Sequence, residues 1–160
     1  MILTIGILTK NSEDVIAYAL SSILENVKLI DSQEFNTEVI VVDGYSRDRT
    51  IDIVMKYKHK FENTLGSNLV NFKILKERIN TVGFARKILA EFACGEWILW
   101  VDSDNILSKG YIRLGVEKIK NTSQKVAIVY PKHVFPIGFS RVGRLLACYE
   151  VCLSKNARAF

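Results

Sequence analysis

Two carboxylates one residue apart, Asp102 and Asp104, close a segment that reads Trp97-Ile-Leu-Trp-Val-Asp-Ser-Asp-Asn105. Paired carboxylate oxygens suit a hard divalent cation, Mg²⁺ or Mn²⁺, that shares its remaining coordination with phosphate oxygens. The apolar run before them fits a strand buried on both faces, as in a parallel sheet. Ligands of such sheets bind outside the carboxyl ends of the strands. If the backbone stays extended, side chains at i and i+2 share a side, roughly 6–7 Å apart along the chain, so both acids would lean toward one ligand. The structural alternative is a solvated loop with a helix-capping acid.

Two further strand ends carry polar groups. Thr9-Lys10-Asn11 follows the apolar run Leu3–Leu8, and Asp43 follows Val39-Ile-Val-Val42. Parallel strands put their carboxyl ends on one edge, so these groups are expected to meet Asp102–Asp104 there. Thr9 and Asn11 also have a capping explanation, Lys10 a surface one, and Asp43 a turn one.

Strands and helices alternate in the elements that would position these residues. After the first strand, Asn11 or Ser12 is expected to cap a helix with Glu13 and Asp14 in its first turn. Val15, Ile16, Ala19, Leu20, Ile23, Leu24 and Val27 then recur at helical spacing. Asp48 is expected to open a second helix through Tyr57, and Asn71–Leu75 to form a third strand. Gly83–Ala93 reads as a helix with Phe84, Ile88, Leu89 and Phe92 inward. Trp97–Val101 is the fourth strand, Ser108–Lys120 a helix and Val126–Tyr130 a fifth strand. Phe61–Asn68 reads as an exposed polar loop, and both tryptophans, Trp97 and Trp100, as core. This order argues an α/β domain over 1–130, a mostly parallel sheet flanked by helices with right-handed crossovers.

After Tyr130 the character changes, and 131–160 reads as a separate C-terminal segment. Ser140–Ser154 is expected to be helical, with Val142, Leu145, Leu146, Tyr149, Cys152 and Leu153 on its apolar face and Arg141, Arg144, Lys155 and Arg158 supplying charge. Either that face packs on the sheet, or the helix rests on an anionic membrane and brings a lipid-linked acceptor close.

Bulk properties narrow the classes. The chain has 160 residues, is 49% apolar, and carries a net charge of +5, which suits a globular domain with anionic ligands. Basic and aromatic residues are not interleaved on one surface, so no nucleic acid is expected. Cys94, Cys148 and Cys152 form no Cys-x-x-Cys pair and suggest reduced thiols. Cys148 and Cys152, at i and i+4, read as small buried residues. His59 and His133 are too far apart in sequence to suggest a histidine-rich zinc site. With no signal peptide and no apolar stretch of transmembrane length, the expected location is cytoplasmic, with the inner membrane face as the peripheral alternative.

Four segments, in order, resemble family 2 glycosyltransferases of the GT-A fold. They are Ile7-Leu8-Thr9-Lys10-Asn11-Ser12, Val42-Asp43-Gly44-Tyr45-Ser46-Arg47-Asp48-Arg49-Thr50, Ala85-Arg86-Lys87 ahead of Gly95-Glu96-Trp97-Ile98, and Asp102-Ser103-Asp104. Leu8, Lys10, Ser12 and Gly44 stand where the family pattern has proline, tyrosine, glutamate and aspartate. The resemblance implies transfer of a sugar from a nucleotide-sugar donor to an acceptor such as a glycan or lipid phosphate, usually with inversion. It implies that Leu8, Thr9, Lys10, Asn11, Asp43, Arg86, Asp102 and Ser103 face the donor. Asp104, with Asp102, would hold Mg²⁺ or Mn²⁺ against the diphosphate. Arg86 could bind phosphate oxygens bidentately. Family members usually carry a catalytic base beyond this half, often in a Glu-Asp pair. Here the only acid between Glu117 and Phe160 is Glu150, a weak candidate that also reads as a helix-surface residue. A donor-binding half, or part of a longer chain, is therefore expected. The rival readings are a sugar nucleotidyltransferase, which usually begins with a glycine-rich loop absent after Ile7, and a non-catalytic nucleotide-sugar-binding module.

Overall fold

A computed structural model describes residues 1–30, 35–79 and 81–120. The expected strand Val126–Tyr130, the helix from Ser140, Cys148, Cys152 and Glu150 lie outside the described residues. The elements are β1 (Ile2–Thr9), α1 (Ile16–Val27), β2 (Asn36–Asp43), α2 (Thr50–Leu65), β3 (Leu69–Lys76), α3 (Val82–Phe92), β4 (Trp97–Asp102) and α4 (Tyr111–Lys120). The four strands are parallel, in the order β3-β2-β1-β4. This is the expected α/β sheet.

Strand alternation sorts the side chains onto two faces. Leu3, Ile5, Ile7, Val39, Val41, Phe72 and Val101 join Ile16, Leu20, Ile23, Val54, Phe61, Ile112 and Val116 in the larger core, under α1, α2 and α4. Ile40 and Val42 meet Ala85 and Leu89 of α3 in a smaller core on the opposite face, with Leu8 and Ile98 packed against it. The close approach of α3 depends on Gly6, where a Cβ would lie 2.8 Å from both Leu89 methyls.

The smaller face holds a buried acid. Glu38 is fully buried and accepts from Thr4 Oγ1 at 2.7 Å, Lys73 Nζ at 2.8 Å and the Cys94 backbone N–H at 2.9 Å. Thr4 Oγ1 in turn accepts from the Gly95 N–H at 3.0 Å. Gly95 has no room for a side chain, since a Cβ would sit 2.7 Å from the Thr4 backbone nitrogen. Burial pushes the Glu38 carboxyl up, but the bonds from Lys73, Thr4 and Cys94 outweigh it and hold the group below its ordinary value.

Several expectations are corrected. Asn11 and Ser12 do not cap α1. Ser12 to Val15 form a turn whose Ser12 carbonyl accepts from Val15 and Ile16, and no side chain caps the helix. Phe61–Leu65 is helical, with Phe61 and Leu65 buried at i, i+4 on the inner face of α2. Phe92 is 53% exposed and α4 begins at Tyr111. Trp97 is half-buried, and Trp100 is 40% exposed because β4 pairs only with β1 among the described residues. The strand before Asp102 is thus an edge strand in this sheet, with Val101 as its one buried residue.

Candidate donor-binding site

The strand order locates the site. The chain runs β1, β2, β3 outward on one side, with α1 and α2 on one face. It then returns through α3 on the other face to place β4 against the free side of β1. The order reverses between β1 and β4, and ligands of open α/β sheets bind at that reversal, outside the carboxyl ends. Two loops flank the crevice there. One is Lys10–Ser12 after β1; the other is Ser103–Asn105 after β4. Their hydroxyls meet, with Ser12 Oγ 3.0 Å from Ser103 Oγ.

Asp102 ends β4, and the backbone then turns, closed by the Asn105 N–H donating to the Asp102 carbonyl at 3.0 Å. The expectation that Asp102 and Asp104 share one side of an extended segment is corrected by this turn. Both acids are exposed, and neither carboxylate has a hydrogen bond or ion pair among the described residues. The turn is anchored to α1 instead: the Leu107 N–H donates to Ser22 Oγ at 3.0 Å, and the Ile112 N–H to Asn26 Oδ1 at 3.3 Å.

Asp43 is handled differently. It is fully buried, and its carboxylate accepts from the Ser46 N–H at 3.1 and 3.3 Å and, in a short bond, from Ser46 Oγ. Ser46 Oγ also accepts from the Asn11 N–H at 2.8 Å, and Asn11 Oδ1 accepts from the Arg47 N–H at 2.9 Å. The loops after β1 and β2 are thereby one hydrogen-bonded unit. Asn11 fits it by adopting φ 47°, a left-handed conformation that asparagine tolerates. Asp48 opens α2 by accepting from the Thr50 N–H at 3.0 Å and reaches across to the Glu13 N–H at 3.1 Å.

Asp43 belongs to the face of α1 and α2, whereas Asp102 alternates with Trp100 and Ile98 onto the face of α3. A ligand that meets both must lie across the top of the sheet, over Thr9. Thr9 is 6% exposed, and its hydroxyl is the buried side-chain group without a partner among the described residues. Leu8 is half-buried in the smaller core, Lys10 is exposed, and Ser103 is half-buried. Arg86 is exposed, with its guanidinium 5.7 Å from the Trp100 ring centroid, one strand pair before Asp102. The expected residues therefore share one edge, with Arg86 alongside.

Ser12, Ser22, Asn26 and Ser46, which hold this edge together, were not expected from sequence. Two of them left a signal: Ser22 and Asn26 are polar at i, i+4 within the buried stripe of α1.

Among the described residues no group of three or more His, Cys, Asp or Glu could hold a metal by itself. Two exposed, unpartnered carboxylates nevertheless fit a Mg²⁺- or Mn²⁺-type ion, which commonly takes one or two carboxylates plus substrate phosphates. No described helix is long and apolar enough to cross a membrane.

Comparison with known proteins bears on the fold and the family. The chain is 29% identical over 165 aligned positions to a poly(ribitol-phosphate) beta-glucosyltransferase of Bacillus spizizenii, covering 86% of this chain and 24% of that protein. It is 30% identical over 128 positions to the poly(ribitol-phosphate) beta-N-acetylglucosaminyltransferase TarS of Staphylococcus aureus, covering 79% of this chain and 20% of TarS. The chain thus spans about a quarter or less of the length of these relatives. The crystal structure of S. aureus TarS 1–349 in complex with UDP-GlcNAc superposes with a TM-score of 0.60 at 30% identity, over 75% of this chain and 31% of that one. The fold is accordingly the GT-A arrangement expected from the motifs. The family model for glycosyl transferase family 2 matches residues 4–151, and the chain belongs to that family.

Proposed function

We propose that this chain forms the donor half of a metal-dependent glycosyltransferase that takes a nucleoside-diphosphate sugar, with UDP as the first nucleotide to test. The observation that carries the reading is the pair of exposed, unpartnered carboxylates at the β1/β4 reversal, on the same sheet edge as buried Asp43. The TarS complex with UDP-GlcNAc supports the choice of nucleotide.

In this reading Asp43, held by Ser46, meets the nucleoside, and Thr9, Lys10 and Asn11 line the floor beneath it. Asp104, with Asp102, holds the cation. A bound divalent ion supplies counter-charge to the nucleoside diphosphate as it leaves the anomeric carbon. Ser103, linked to Ser12, keeps the acid turn closed against the β1 loop. Arg86 contributes a second positive group toward the phosphates. The acceptor oxygen, of a glycan or a lipid-linked phosphate, attacks the anomeric carbon from the side opposite the leaving diphosphate, giving inversion. Glu150, the weak candidate for the base, lies outside the described residues.

Two carboxylates give the cation an incomplete shell, so metal and nucleotide should bind together. Calorimetric titration of UDP with and without Mn²⁺ tests this. The expected result is affinity that requires the metal and is lost in Asp104→Ala. UDP affinity independent of both the metal and Asp104 would sink it.

A further inference from the structure

Tyr45 lies in the β2–α2 loop at φ 58°, a left-handed backbone conformation that is rare for a bulky residue. The residue is 41% exposed, so burial does not explain the strain. Such strain persists where surrounding interactions over-determine it, and it clusters at functional sites. Here those interactions come from the end of β3. Arg78 Nε donates to the Tyr45 hydroxyl at 2.8 Å, the Arg78 guanidinium carbon lies 5.6 Å from the Tyr45 ring centroid, and Lys76 Nζ lies 5.8 Å from it. The same strand end is tied to the site floor, because Lys76 pairs in register with Asp43 and the Glu77 N–H donates to the Asp43 carbonyl at 2.9 Å. Tyr45 thus bridges the Asp43 loop to an exposed arginine on the far side of Asp43 from the metal carboxylates.

We infer that Tyr45 is a positioning residue that fixes the Arg78 guanidinium at the nucleobase end of the donor site, so that the site prefers a base presenting a carbonyl oxygen there to one presenting an amino group. A guanidinium carries only donors. With Nε committed to Tyr45, the terminal N–H groups supply its remaining donors. A carbonyl such as uracil O4 satisfies them, whereas the amino group of cytosine at that position opposes donor to donor. Free rotation of an unpinned arginine would blur that discrimination. The inference rests on the donor-site reading above.

The test is the ratio of UDP to CDP affinity, in the presence of Mn²⁺, for the 160-residue chain and for Tyr45→Phe and Tyr45→Gly. Wild type is expected to favour UDP. Tyr45→Phe keeps the ring and loses only the hydroxyl, and is expected to weaken UDP about tenfold while leaving CDP unchanged. Tyr45→Gly removes the strain as well and is expected to lose the same preference without loss of melting temperature. A purely structural role for Tyr45 would not separate the two nucleotides. Equal losses for UDP and CDP in Tyr45→Phe would mean that Lys76 and Arg78 meet phosphate, and an unchanged ratio would mean that the pin has no role; either overturns the inference and leaves the donor site intact. Wild type that binds neither nucleotide overturns both.

Discussion

Glu38 and Asp102 alternate onto the same face of the same sheet, toward opposite ends, and their environments are opposite. Glu38 is fully buried among three donors from three segments, Thr4, Lys73 and Cys94. Asp102 and its neighbour Asp104 are exposed and without a partner among the described residues. An acid that serves the fold has its lone pairs filled by the chain, because an unpaired buried charge is prohibitive. Asp102 and Asp104 keep theirs open to solvent or to a ligand, and the chain holds the backbone around them through Ser22, Asn26 and Ser12. Asp43 stands between the two: buried, held by its own loop through Ser46, and close to the floor of the site.

The comparison breaks most visibly at Glu38. Glu38→Ala leaves the Cys94 N–H without its acceptor and takes the carboxylate from the Lys73 ammonium, which keeps the Phe92 carbonyl, and is expected to cost about 3 kcal/mol. That corresponds to a fall in melting temperature of roughly 10 °C, read by thermal denaturation. The affinity of the remaining folded protein for UDP and Mn²⁺ should not change. Asp104→Ala should show the reverse. A loss on the order of 100-fold in metal-dependent UDP binding is expected, with a stability change within about 0.5 kcal/mol. If both variants lost stability alike, the division between the two kinds of acid would collapse.

Acid sharpens the contrast further. Glu38 titrates below its ordinary value in the folded protein, so its contribution to stability is present above 4.5 and disappears as the pH falls through the lower folded value. The gap in urea midpoint between wild type and Glu38→Ala should therefore be full near neutrality and shrink on acidification below that point. A constant gap down to strongly acid pH would mean that the network acts through packing alone. The smallest effect belongs to Tyr45→Gly. Relief of the left-handed conformation is worth about 1 kcal/mol and is set against the lost Arg78 bond, so chemical denaturation should find the variant at least as stable as wild type.

Much of this arrangement was legible in the sequence. Leu3–Leu8 and Val39–Val42 are central strands covered on both faces, which is what a continuous apolar run reports. The acids that end strands could be placed on one edge because parallel connections force that result. The same rule misled at Trp97–Val101, where apolar composition was read as burial on both faces but the strand lies at the sheet edge among the described residues. Polar composition misled at Phe61–Leu65, where Glu62, Asn63 and Thr64 obscured a buried i, i+4 pair on a helix. Asn11 and Ser12 were read as helix caps because short polar side chains so often cap, yet their bonds go across to the β2 loop and to Ser103. Those pairings join residues from 35 to 91 positions apart. Local pattern carries no information over such separations, so the partners of Asn11 and Ser12 were legible only in three dimensions.

The central position of β1 has a consequence for synthesis. Of the four described strands it is the first to leave the ribosome, and β2 can cover one side of it once residue 43 has emerged. Its other side must wait for Trp97–Asp102. Throughout that interval a strand reading Ile-Leu-Thr-Ile-Gly-Ile-Leu-Thr offers an open row of backbone donors and acceptors, the kind of edge that recruits strands from other chains. The turn carrying Asp102 and Asp104 directly follows the strand that closes this edge. In the growing chain, the end of that exposure and the arrival of the site's acidic loop are one event.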